Sequence, residues 1–177
     1  FRPEHPGTRI GPDHTDGPIA KAIASISGVA VVNVEGRGQI EVSNVTARIF
    51  RAVGRTDANV FMISQASSQH SVSFIVRNLD VAPVVAALQR EFAEDLRSKR
   101  VLSISDDRDL SIIAVVGAGM RGTPGIAGRI FGTMGQEGVN IVAIAQGSSE
   151  LNISFVIAEH EEARAVSALH AAFVAAD

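Results

Sequence analysis

Apolar positions along this chain switch repeatedly between two periods. Gly28-Val-Ala-Val-Val-Asn-Val-Glu35 is a β-branched, nearly unbroken run, the pattern of a buried strand. A glycine-containing loop, Gly36-Arg-Gly-Gln, follows it. From Asn44 to Val53 the apolar residues Val45, Ile49 and Val53 fall on one helical face, and Ser43 is placed to cap that helix. Strands are predicted over 59–65 and 71–77, with a polar turn between them. Asp80 then caps a second helix, on which Val84, Leu88, Phe92 and Leu96 form a stripe four residues apart. Val101 to Ser105 alternates like a strand, giving the order β-α-β-β-α-β.

The same order then begins again. Leu110 to Val116 reads as a strand, Gly117-Ala-Gly-Met-Arg-Gly122 as a glycine loop, and Thr123-Pro124 as a helix start, with Ile126, Ile130 and Met134 inward. Strands over 139–146 and 152–158 precede a helix from about 160 to 174. Gln65 and Gln146 are 81 positions apart, and the same spacing relates Gly36 to Gly117, Arg48 to Arg129, Asn59 to Asn140, Ser67 to Ser148 and Phe74 to Phe155. So many coincidences at one spacing identify an internal duplication.

The second copy stops after its second helix and lacks a fourth strand. The spare segment Ile19 to Ile26 alternates weakly and can supply it, which nests the first copy inside the second. The expected fold class is therefore α+β: two ferredoxin-like βαββαβ units with antiparallel sheets, packed side by side. The first unit is expected over 28–108 and the second over 19–27 plus 109–177. Asp106-Asp107-Arg108-Asp109 reads as a solvated connector between them. Residues 1–18, with Pro3, Pro6, Pro12 and Pro18, read as an extended linker.

Composition narrows the function. With 46% apolar residues a core is available. The absence of cysteine rules out a disulfide framework, a thiolate metal site and a cysteine nucleophile, and fits a cytoplasmic protein. A net charge of −3 without a basic stripe speaks against nucleic acid as partner, and no apolar run approaches the length of a membrane span. The first residues do not resemble a signal peptide, and a start at Phe1 rather than Met suggests a piece of a longer protein.

Gly117-Ala-Gly-Met-Arg-Gly122 matches the G-x-G-x-x-G dinucleotide fingerprint in form, but the elements after it read as a β-β pair and the expected acid at the end of the next strand is absent. A better reading is an anion-binding cup of backbone N–H groups that would suit an amino-acid carboxylate. Gln65 and Gln146, with Asn59 and Asn140 at the other ends of the same predicted strands, supply amides that donate and accept, as a zwitterionic ligand requires. Ser67, Ser68 and His70 do not make a catalytic set, because neighbouring strand residues face opposite ways and no orienting third group is evident. The histidines lack metal-ligand spacing. No catalytic residue, metal or cofactor is expected.

Gly117-Ala-Gly-Met-Arg-Gly-Thr-Pro-Gly-Ile-Ala-Gly-Arg-Ile-Phe131 and Ile144-Ala-Gln-Gly-Ser-Ser-Glu-Leu-Asn-Ile-Ser-Phe155, together with Val32-Asn-Val-Glu-Gly36 and Ile63-Ser-Gln-Ala-Ser-Ser68, resemble the tandem ACT domains of aspartokinase. The resemblance covers about residues 19–174, and Pro3-Glu-His-Pro-Gly-Thr8 resembles the segment that joins kinase to regulatory part. It implies a regulatory region, here without the kinase domain's substrate motif. That region would sense an end-product amino acid and form a homodimer through its ACT units. The wording around both glutamines resembles threonine-sensitive forms, including bifunctional aspartokinase–homoserine dehydrogenases, with lysine as the alternative effector. Carried over by motif, the effector residues are Asn59 and Gln65 in the first unit and Asn140, Ile141, Gln146 and Asn152 in the second. The first-unit loop departs from the pattern, reading Arg37-Gly-Gln-Ile-Glu-Val, so one unit or both bind ligand.

Overall fold

The computed structural model describes residues 19–36, 42–65 and 71–174. The linker expected over 1–18, the loop over 37–41, the polar turn over 66–70 and the Ser43 side chain lie outside the described residues. The chain runs β1 (Ala22–Gly36), α1 (Val42–Val53), β2 (Met62–Gln65), β3 (Ser71–Arg77), α2 (Val81–Glu91), α3 (Ala93–Arg97), β4 (Val101–Val116), α4 (Ile126–Gln136), β5 (Ala143–Gln146), β6 (Asn152–Ala158) and α5 (Glu162–Phe173). The fold is α+β, with two βαββαβ-like units.

The strands form one six-stranded sheet in the order β2-β3-β1-β4-β6-β5, and every pairing is antiparallel. Where two sheets side by side were expected, two long central strands run through both units. The expected strands at 19–26 and 28–35 are one strand, β1, and the expected acidic connector Asp106–Asp109 lies within β4. Ala22 to Ile26 pairs with Val116 to Ile112, while Val29 to Glu35 pairs with Arg77 to Ser71 of β3. Each long strand slips by one residue on its way from one unit to the other, between Ile26 and Val29 on β1 and between Val29 and Val31 opposite β4. Gly28 (φ 67°) and Asp109 (φ 55°) take the left-handed conformation at these two bulges, and they are 81 positions apart. Glycine adopts this conformation without strain; Asp is among the few other residues that tolerate it. Their clasps also correspond, since Gly28 N–H donates to the Glu159 carboxylate at 3.1 Å and Asn78 donates to the Asp109 carboxylate at 3.3 Å.

Burial on both faces explains why the strands read as continuous apolar runs rather than alternating ones. On the first unit's helix side, Val32, Phe74, Val84, Leu88 and Phe92 are fully buried; Ile113, Ile130, Phe155 and Leu169 fill the second. The opposite face forms a third cluster, in which Val29, Ile75, Ile112 and Val156 meet Met62 of β2, with Ala143 and Ala145 of β5 packed against it. The two edge strands of the sheet thus curl toward each other.

Several ends differ from expectation because the chain uses backbone turns where side-chain caps were predicted. A 3₁₀ turn over Asn78–Asp80 starts α2, and Asp80 makes no capping bond. The helix stripe breaks at Phe92, which separates α2 from α3. Helix α4 starts at Ile126 behind left-handed Gly125, two residues beyond the Thr-Pro start, because the Thr123 hydroxyl donates back to Gly119 O at 2.7 Å. The final helix starts at Glu162 after a 3₁₀ turn.

The duplication persists in side-chain contacts. Phe50 packs on Phe74 and Phe131 on Phe155, with ring centroids 6.0 and 5.9 Å apart. Arg48 stacks over Phe92 and donates to Glu91 O; Arg129 stacks over Phe173 and donates to Ala172 O. One feature is private to the second unit. Fully buried Ser111 and exposed Ser25 each donate to the Glu162 carboxylate at 2.6 Å, where the first unit has Ala30 and Val81 in place of Ser111 and Glu162.

The Ser111 bond, followed by that of Ser25, holds the Glu162 carboxyl below its ordinary 4.5. A carboxylate lowered in the folded state stabilises the fold above its unfolded value and loses that contribution as pH falls through the folded one. Glu162→Gln should therefore flatten the acid side of the stability profile below about pH 4.5, measured as melting temperature against pH beside the unmodified chain.

Candidate functional site

The two glutamines stand at the C-terminal ends of the edge strands, Gln65 on β2 and Gln146 on β5, and both are exposed. Because all pairings alternate, β2 and β5 run in opposite directions where they approach each other. The N-terminal end of the first unit's edge therefore lies beside the C-terminal end of the second unit's. A cavity of about 430 Å³ opens at this junction. Phe61, Met62 and Ile63 line it from the first unit; Ala145, Gln146, Asn152 and Ser154 line it from the second, with Ile112 and Ala114 of β4 beneath. It is an apolar trough with amide and hydroxyl groups at one end, the make-up that suits a small amphiphilic ligand.

Gln146 also lines a smaller recess of about 140 Å³ with Met120, Thr123, Gly125 and Glu150. One side chain is thus a wall shared by both spaces. The glycine loop that forms the recess is shaped by close approach. A Cβ on Gly117 would lie 2.1 Å from Ile19 O, and one on Gly119 would lie 3.1 Å from Ile19 Cα. Gly122 (φ 67°) and Gly125 (φ 88°) are left-handed. The expected anion cup already holds a carboxylate of the chain itself: Gly122 N–H donates to Glu150 Oε2 at 2.8 Å. Glu150, at φ 57°, is in the sparsely allowed left-handed region that turns the β5–β6 hairpin back onto this loop.

The sequence-derived residues separate into different places. Gln146 and Asn152 share the larger cavity. Asn59 and Asn140 precede β2 and β5, which begin only at Met62 and Ala143, and both are exposed. Ile141 is half-buried against the second unit's core. Six residues of extended chain span about 20 Å, so Asn140 and Gln146 do not meet one small ligand within their own unit. Opposed edge directions instead bring the first unit's 59–61 end toward Gln146. Phe61 was missed by sequence reasoning. Its apolar side chain reads as core, and only the fold turns it to a shared cavity. The dinucleotide fingerprint fails, since the unit after Gly117 is antiparallel. Among the described residues no cluster of His, Cys, Asp and Glu could hold a metal, and no helix is long and apolar enough to cross a membrane.

The βαββαβ unit occurs twice with a cavity at the seam between the copies, and the chain belongs to the ACT domain family, whose profile matches residues 32–92 and 113–173, once per unit. The pair is homologous to aspartokinase regulatory regions. The maize bifunctional aspartokinase/homoserine dehydrogenase 1, chloroplastic, is 42% identical over 98% of this chain, which amounts to 19% of that relative. A crystal structure of aspartokinase alpha and beta subunits superposes with a TM-score of 0.73 at 30% identity, over 86% of this chain and 97% of that one. The regulatory subunit of aspartate kinase from Thermus thermophilus, at 23% identity, shares the fold with a TM-score of 0.73 over 87% of this chain and 98% of its own. The chain spans about a fifth of the length of the curated relatives it matches.

Proposed function

We propose that this chain is the effector-sensing part of an aspartokinase and binds an end-product amino acid of the pathway, threonine in the first instance, to control an attached kinase domain by feedback. The observation that carries this reading is the cavity at the seam of the two ACT units, with the Gln146 and Asn152 amides at its polar end. Those amides can hold the ammonium, carboxylate or hydroxyl of a small amino acid, and the apolar remainder receives its methyl group. In this reading Asn59 assists Gln146 across the seam, and Gln65 works with Asn140 and Ile141 at the other end of the curled sheet. Lysine is the second reading. Glu150, which lines the recess beside Gln146, offers a counter-charge for a second ammonium group.

The division into a first unit over 28–108 and a second over 19–27 plus 109–177 belongs to the same proposal. So do a homodimer formed through ACT units, a cytoplasmic parent enzyme and the absence of catalysis in this part. A ligand that prefers one arrangement of the units shifts the equilibrium by its difference in affinity, typically about 1–3 kcal/mol.

Calorimetry on the chain with threonine, lysine, methionine and isoleucine tests the reading. Threonine should bind. Gln146→Ala should weaken binding about tenfold, and Gln65→Ala similarly if both ends take ligand, because each loses one hydrogen bond in a partly desolvated site. Unchanged affinity in both variants would move the site elsewhere. Binding of none of the four would leave a structural pairing module.

A further inference from the structure

The glycine loop has contacts on both sides that nothing in effector binding alone requires. On its inner side the chain entering at Ile19 crosses directly against it. Ala20 is fully buried, Lys21 N–H donates to Val116 O at 2.7 Å, and Gly117 and Gly119 are the residues whose missing side chains make room for Ile19. On its other side, Met120, Thr123 and Gly125 of the same loop line the recess that shares Gln146 with the seam cavity. Two hydrogen bonds tie the loop to the β5–β6 hairpin, from Gly117 N–H to Leu151 O at 2.9 Å and from Gly122 N–H to Glu150 Oε2.

From this arrangement we infer that the Gly117–Gly125 loop is the relay through which occupancy of the Gln146 cavity reaches the chain entering at Ile19, with Gly119 as a positioning residue and Glu150 as the tie that holds the loop against the β5–β6 hairpin. The inference rests on the effector reading above for the ligand, but its mechanical part does not. Packing against backbone leaves little slack: a loop clamped against Ile19 by two glycines cannot shift on its cavity side without moving residues 19–21. The segment is also continuous with β1, so its displacement acts along the central strand shared by both units.

Amide hydrogen exchange on the 177-residue chain tests this, with threonine as the probe. In the unmodified chain threonine should change the exchange of the Lys21 and Gly117 amides by about threefold or more. In Gly119→Ala, whose methyl would meet Ile19 Cα at 3.1 Å, affinity should stay within about twofold while the Lys21 response disappears. Threonine binding that leaves Lys21 exchange unchanged in the unmodified chain would overturn the relay and leave the effector reading intact. If threonine does not bind, the effector reading fails, and Glu150→Ala tests the relay without ligand. Cutting the hairpin tie at Gly122 should speed exchange at Lys21 if the loop transmits, and leave it unaltered if it does not.

Discussion

Gly117→Ala should destabilise the chain by about 3 kcal/mol, lowering its melting temperature by roughly 6–12 °C. The cause is not backbone strain, since Gly117 is extended at φ −177° and any residue can adopt that conformation. The cause is contact. The added methyl would lie 2.1 Å from Ile19 O and 2.8 Å from Ala20 Cα, both backbone atoms. Neither moves easily, because Ala20 is buried and Lys21 is bonded to Val116. The molecule contains its own control. Gly128 and Gly132 lie inside α4 with ordinary φ and nothing within 4 Å of a Cβ. Ala at either should stabilise by about 0.5–1 kcal/mol, the ordinary helix-propensity gain. Thermal melts of the three variants decide the matter; a Gly117→Ala melt close to that of Gly128→Ala would mean that the Ile19 crossing is not tight.

Arg48→Ala should cost about 2–4 kcal/mol, and its counterpart Arg129→Ala about 1 kcal/mol. Arg48 bridges Glu91 at 3.0 Å and Asp95 at 2.8 Å, donates to Glu91 O and lies over Phe92 at 4.4 Å. Removing it leaves Asp95, only 8% exposed, with Arg100 alone at 2.8 Å, and Glu91 with a distant Arg55 at 3.8 Å. Arg129 keeps the stack over Phe173 and the carbonyl bond, but Ala172 stands where Glu91 does, so no carboxylate at that position is stranded by its loss. Acid unfolding gives a second readout. Burial raises the Asp95 carboxyl, but Arg48 and then Arg100 outweigh that and hold it below its ordinary 3.8. Its stabilising contribution is present above that value and lost below it. Without Arg48 less remains to lose, so Arg48→Ala should show a shallower decline than the unmodified chain on acidification below about pH 4. Equal costs for the two arginines would show that stacking, and not the carboxylates, sets the energy.

Much of the fold is legible in the sequence. The spacing of 81 reappears in the paired Phe contacts, the paired Arg stacks and the paired bulges at Gly28 and Asp109. The apolar stripes Val84-Leu88-Phe92 and Ile126-Ile130-Met134 are buried as their periods predict. Misreadings gathered where local chemistry competes with tertiary pairing. Asp106 to Asp109 has poor strand propensity, yet it continues β4 because β1 pairs with Asp106 and Asp107 on one side of the Asp109 bulge and with Leu110 on the other. Asp80 and Thr123 are good caps by type, but a 3₁₀ turn and a left-handed glycine start those helices.

For the candidate site the division is sharper. Periodicity and duplication determined by themselves that this is an α+β protein of two βαββαβ units with a repeated polar hairpin, since burial patterns and turn chemistry are local properties of the chain. The ACT assignment came from the resemblance of its motifs and from the family match. Which of those polar residues share a space was decided only by the tertiary structure. The sheet's two edges curl together running in opposite directions, so neighbours at the seam come from different units and from opposite strand ends. The glycine loop shows the same limit. Its residues announce a tight approach, but only the fold reveals that Ile19 makes the approach and that Glu150 fills the cup.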